Sequence, residues 1–200
     1  SNLLGDFVKI QDDVKEIAVY DENVMILKND SSLFCMGNLP KEIKSNAMKF
    51  QYVSNPIFID SGVKKISVGN KCFIYVKEDG STYYFGKLSS SSIGMSIEPK
   101  KIPYKSIDIS TDRGSLFILT DNNELLSTSN GESFKKIASN VIKISGNLFI
   151  KEDSSLFAFG NVTTGSLGVT VKSQDVPQFV MNDVKDGMNR YFRGQAVVAF

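Results

Sequence analysis

The chain has 200 residues, a formal net charge of +1, two cysteines, and neither histidine nor tryptophan. Without imidazole there is no Ser-His-Asp or Cys-His nucleophilic site, no His switch near neutral pH and no four-ligand Cys/His zinc site, so no catalytic residue, cofactor or metal is expected. A composition 42% hydrophobic and 22% charged excludes a disordered chain, and the near-zero net charge argues against a polyanion binder, so direct nucleic-acid contact is not expected.

From the N-terminus, Ser1-Asn2-Leu3-Leu4-Gly5 lacks the basic and apolar stretches of a secretion leader. No apolar run approaches the roughly 20 residues of a membrane span. An intracellular setting, cytoplasmic or nuclear, is expected, with Cys35 and Cys72 as buried, reduced thiols. Val14-Lys15-Glu16-Ile17 opens a first strand, and a second runs into Leu27-Lys28-Asn29-Asp30. After the Asp30-Ser31 turn, Phe34 and Met36 alternate with Leu33 and Cys35. Both faces of that strand are apolar, so both should be covered. The longest insertion, 38–52, follows, with one or two helical turns expected over 41–50. Pro56-Ile57-Phe58-Ile59 then starts an outer strand, a position that tolerates proline.

The cycle restarts at Val63-Lys64-Lys65-Ile66 and runs through Val76-Lys77-Glu78-Asp79. Asp79-Gly80 between apolar runs predicts a two-residue hairpin turn with both residues at positive φ. A third cycle runs from Tyr104-Lys105-Ser106-Ile107 to the turn at Asn122-Asn123, and a fourth from Val141-Ile142-Lys143-Ile144 to Asp153-Ser154. A partial fifth begins at Val184-Lys185. Ile17, Ile66, Ile107 and Ile144 serve as register marks at a spacing of about 40 residues, the range of propeller blades. The repeats are taken as 14–62, 63–103, 104–140, 141–183 and a partial 184–200.

The sharpest marks are glycines. Gly86 through Ile93-Gly94 and Gly160-Asn161 through Leu167-Gly168 hold the same spacing. With Ile66-Ser67-Val68-Gly69 and Ile144-Ser145-Gly146, these stretches resemble the regulator-of-chromosome-condensation repeat family over almost the whole chain. The usual histidine of the apolar strand is missing throughout, and Met36, Phe85 and Phe159 stand where tryptophan precedes the glycine. The resemblance implies an all-β fold: a β-propeller, or an arc of one, of four-stranded blades. The chain accounts for about four full blades plus two part-blades of a seven-bladed ring. The remaining blades are then expected in the same or another chain; a smaller closed ring is the alternative.

Lys15, Lys64, Lys105 and Lys185 recur at one repeat position, where a lysine ring could meet an acidic partner. The plain alternative is strand-flanking lysines that keep exposed backbone solvated. Arg190, Tyr191 and Arg193 combine guanidinium and aromatic groups favoured at interfaces, or else mark a divergent closing strand. Neighbouring acids such as Asp12-Asp13 point to opposite faces and form no acid/base pair. The reading is a non-enzymatic protein-binding scaffold whose partner docks on a propeller face. The resemblance also implies an alternative, a guanine-nucleotide exchange factor whose partner is a small GTPase. A ligand- or sugar-binding propeller ranks below both.

Overall fold

The computed structural model describes residues 8–88, 94–112, 114–159 and 176–185, and the backbone of 188–192 and 195–199. Every described sheet is antiparallel and follows chain order. The first sheet holds β1 (Val14–Tyr20), β2 (Asn23–Lys28), β3 (Leu33–Lys44) and β4 (Ala47–Asp60). A seven-stranded sheet follows: β5 (Val63–Gly69), β6 (Cys72–Lys77), β7 (Ser81–Lys87), β8 (Met95–Asp112), β9 (Ser115–Thr120), β10 (Leu125–Thr128) and β11 (Lys135–Ala138). A third sheet holds β12 (Val141–Ser145), β13 (Leu148–Lys151), β14 (Leu156–Ala158) and β15 (Gln178–Met181); β16 (Met188–Phe192) and β17 (Gln195–Ala199) form a hairpin.

Separate four-stranded sheets were the expectation, and β8 departs from it. Its first part pairs with β7 as far as Lys105, and its second part pairs with β9 from Ser106 onward. One 18-residue strand thus closes one four-strand unit and opens the next. Pro103 falls where the β7 ladder is irregular, between the Tyr83–Lys101 and Ser81–Lys105 pairs, so no ladder bond calls on its missing N–H.

Alternation places the core between units. Met25, Leu27, Leu33 and Cys35 of the first sheet pack with Val63, Ile66, Val68, Phe73, Tyr75 and Phe85. The opposite side chains of β6 and β7, including Cys72, Ile74, Val76 and Tyr84, pack with Ile109, Leu116, Ile118 and Leu126. Phe117, Leu119 and Leu125 meet Val141, Ile144, Phe149 and Phe159. Cross-strand rings stack within this pattern: Phe73 on Phe85 with centroids 4.7 Å apart, and Phe149 on Phe157 at 5.2 Å. The face of β1 turned away from β5 has no such cover among the described residues, and Ile17 is 62% exposed.

Three expectations change here. The stretch 41–50 is not helical but the tip of a long β3–β4 hairpin. Ser45 and Asn46 both lie at positive φ and make the tight turn that returns the strand. At the Asp-Gly type turns only the second residue has positive φ: Ser31, Gly80, Asn123 and Ser154. Each donates its N–H to the carbonyl three residues earlier, as Gly80 does to Lys77 at 2.9 Å. That is a type I turn followed by one left-handed residue. In the third repeat the register mark is Ile109, not Ile107. Ile109 pairs with Ile118 as Ile66 pairs with Tyr75, while Ile107 falls in a bulge.

Candidate functional site

Antiparallel connectivity brings the turns at 28–32, 77–81, 120–124 and 151–155 to one end of the strands. Backbone bonds tie each turn to the next unit. Val63 N–H donates to the Ser31 carbonyl, Ser106 to Gly80, Val141 to Asn123 and Val184 to Ser154, at 2.9–3.0 Å. Side chains repeat the link: Ser31 Oγ donates to Glu78 at 2.8 Å and Asn123 Nδ2 to Glu152 at 2.9 Å. Within the turns, Asp30, Asp79 and Asp153 accept both the hydroxyl and the backbone N–H of Ser32, Ser81 and Ser155. These serine bonds hold all three carboxyls below the usual aspartate range.

On this turn face one arrangement occurs in three units. The lysine ending the second strand lies over an aromatic ring on the third: Lys28 over Phe34 at 6.0 Å, Lys77 over Tyr83 at 5.8 Å, and Lys151 over Phe157 at 4.9 Å. In the first and last units the outer strand adds a second ring edge-on, Phe58 at 5.7 Å and Phe179 at 5.9 Å. In the middle unit Lys101 takes that place, 6.0 Å from the Tyr83 centroid. Tyr83 is therefore flanked by two cations and stacked on Tyr75 at 5.3 Å.

Asp60, at the end of β4, accepts from Tyr75 Oη and Lys77 Nζ, both at 2.8 Å. Partial burial works to raise its pKa, but these bonds and the Lys77 charge outweigh it, and the carboxyl sits below its ordinary value. Burial and the Asp60 bond push the Tyr75 phenol upward. Beside this cluster an open groove of about 430 Å³ is lined by Ser81, Lys101, Ile102, Pro103, Tyr104 and Lys105. Lys101 and Lys105 are exposed. Chemically the groove offers two ammonium groups and an apolar floor, which suits an acidic side chain held against a ring.

Lys15 and Lys64 share one ladder position, and Lys105 does not share it. Lys15 and Lys64 are the bulged residues of β1 and β5, and the matching residue of β8 is Ile107. Lys105 stands two positions earlier and leans over Gly80 instead. Lys185 is exposed at the start of the partial unit. The backbone of Arg190 and Tyr191 lies in β16; their side chains, and Arg193, lie outside the described residues.

The position after the bulge carries alternating charge: Glu16, Lys65, Asp108, Lys143. Lys65 donates to Asp108 at 2.8 Å. Desolvation raises the Glu16 pKa against the pull of Lys65 and Lys15. The cysteines are free and buried in different cores, where desolvation pushes their thiols up. Among the described residues no acidic or cysteine cluster could hold a metal, and no helix is long and apolar enough to cross a membrane.

No protein-family model matches the chain, and no curated protein matches it. Solved structures do. Human WBSCR16 matches with a TM-score of 0.70 at 13% identity, over 88% of this chain and 55% of that one. Prp20p from Saccharomyces cerevisiae, described with its binding to Gsp1p and histones, matches at 0.61 and 15% identity, over 93% of this chain and 50% of that one. Yeast RCC1 (Prp20) in a complex with Kap60 gives 0.61 and 15%, over 93% and 49%. The chain spans about half the length of these structures.

Proposed function

We propose that this chain, which over most of its length has the fold of RCC1-like β-propellers, is a non-enzymatic protein-binding scaffold whose partner docks on the turn face. The observation that carries this is the pair Lys101 and Lys105 at the rim of an open groove, with Tyr83 between Lys77 and Lys101. Rigid propeller ends present such turns to partners, and an aromatic set among cations suits an acidic, ring-bearing segment. Each four-strand unit is read as one blade. The bare face of β1, with Ile17 and Val19 exposed, is where a further blade from the same or another chain would pack. Prp20p and yeast RCC1 are described with protein partners, which agrees with a binding role.

The test is affinity capture from a native extract with the wild type and a Lys101→Glu/Lys105→Glu variant. The proposal expects a stoichiometric protein retained by the first and lost by the second. Equal recovery by both would move docking off this face. Recovery of sugars or nucleic acid alone would end the scaffold reading. Release of fluorescent GDP from a panel of small GTPases should stay at the intrinsic rate, and acceleration would put nucleotide exchange in its place.

A further inference from the structure

The β3–β4 hairpin continues past the end of the first sheet, on the side opposite the turn face. Beyond Gly37 its two strands pair with each other down to Lys44 and Ala47. Among the described residues β4 is the edge of its sheet, and its only ladder partner is β3. In a hairpin closed by a two-residue turn, the flanking residues Lys44 and Ala47 exchange ladder bonds. Parity then assigns Ala47, Lys49, Gln51 and Val53 to the β3 side and turns the N–H and C=O of Met48, Phe50 and Tyr52 outward. Pro40 checks this independently. It pairs with Phe50, and having no N–H it fits only a pair that exchanges no ladder bonds.

That edge runs seven residues without a proline between 47 and 53, which makes it a template for another strand. Its outward backbone is bordered by half-buried Met48 and Phe50 and by Tyr52, 59% exposed. Phe50 lies under Lys71, with the ammonium 5.3 Å from its centroid. The protruding part, 38–53, carries Lys41, Lys44 and Lys49 against the single acid Glu42, and Glu42 is already engaged by Lys44 at 2.8 Å and Lys49 at 3.7 Å.

From this juxtaposition we infer that the outer edge of β4 over 47–53 is a strand-addition site for an extended, acidic segment of a partner polypeptide. Its backbone would pair with Met48, Phe50 and Tyr52, its acids would lie beside Lys44 and Lys49, and its apolar residues beside Phe50 and Tyr52. A second copy of this chain is the poorer occupant, because it would bring its own lysines against these. The site is separate from the turn-face groove and does not depend on it.

The test is residue-resolved amide exchange on the full chain with a capped peptide of four Glu-Val repeats, and with its Lys-Val counterpart. In the free protein Met48, Phe50 and Tyr52 should exchange fast between slow neighbours. The Glu-Val peptide should slow these three by about tenfold or more, and the Lys-Val peptide should not. Tyr52→Pro, which removes an outward N–H but no ladder bond, should weaken binding by about tenfold. Lys49→Glu keeps the backbone and should reverse the preference between the peptides. Protection in the free protein, no slowing at millimolar peptide, equal slowing by both peptides, or dimerisation of the chain alone would each overturn the inference.

Discussion

Gly86→Ala isolates a backbone constraint that the repeat imposes. Gly86 lies at φ +96°, and a Cβ there would stand 2.2 Å from the carbonyl oxygen of Lys71 and 3.2 Å from the Cα of Cys72. That carbonyl accepts Lys87 N–H at 2.7 Å, so it cannot retreat without loosening the end of β6 against β7. A residue with a Cβ loses about 1–2 kcal/mol in the left-handed region. A weakened backbone bond adds about 1 kcal/mol, for a total of about 2–3 kcal/mol. Gly62→Ala is the control. It also has positive φ, at +67°, but the nearest atom to its Cβ is the flexible Lys77 Cε at 3.8 Å, so only the conformational cost of about 1 kcal/mol applies. With a urea slope of about 2 kcal/mol per molar, Gly86→Ala should lower the midpoint by about 1–1.5 M and Gly62→Ala by about 0.5 M. Gly37→Ala, whose Cβ would meet the Glu22 carbonyl at 2.0 Å, should behave like Gly86→Ala. Equal shifts for Gly86→Ala and Gly62→Ala would refute the collision argument.

Phe73→Ala removes a fully buried ring stacked on Phe85 and should cost about 3–5 kcal/mol in the same melts; a loss under about 1 kcal/mol would mean that the core between the first two units is loosely packed. A double-mutant cycle of Lys65→Met and Asp108→Asn should give a coupling of about 0.5–1 kcal/mol, since the side chains are 43% and 18% exposed. Salt near 1 M should weaken that coupling, and an unchanged coupling would argue against an ion pair. The carboxyls of Asp30, Asp60, Asp79 and Asp153 have lowered folded pKa values. Their stabilisation is therefore present above the unfolded value near about 4 and is lost as pH falls through the folded values. Asp60→Asn should lower the melting temperature at neutral pH and shallow its fall below about pH 4; an unaltered acid slope would contradict the role given to Asp60.

The hairpin turns were legible because Asp30, Asp79 and Asp153 sit next to residues that tolerate positive φ, and because alternation put apolar side chains on both faces of the third strand. The turn type was not legible, since Asp-Gly suits both a mirror-image turn and a type I turn with one left-handed residue. The third repeat slipped by two residues because a bulge at Ile107 leaves two isoleucines, 107 and 109, with equal claim as the register mark, and only the ladder to Ile118 decides. The inserted stretch 41–50 mixes charged and apolar residues without a clear period, while the deciding signal was the two-residue turn at Ser45-Asn46. Lys28, Lys77 and Lys151 stand two residues before the turn aspartate in three of the four repeats, a signal present in the sequence. What singles them out is the ring beneath each ammonium, which cross-strand register alone supplies. The groove could not be read at all, because it depends on Lys105 being paired across to Ser81.

The uninterrupted β8 also has a mechanical consequence. The first sheet is joined to the second by Ser61-Gly62, and the second to the third by Ser139-Asn140, so each junction can part once its side-chain contacts and the few backbone bonds of the turns are lost. The middle units share one strand with no linker between them. Yet the β7 ladder ends at Lys105 and the β9 ladder begins at Ser106, so a bend between those two residues separates the units without loss of a ladder bond. A pulling force should therefore part the units from one another, the middle pair included, before any four-strand ladder unravels.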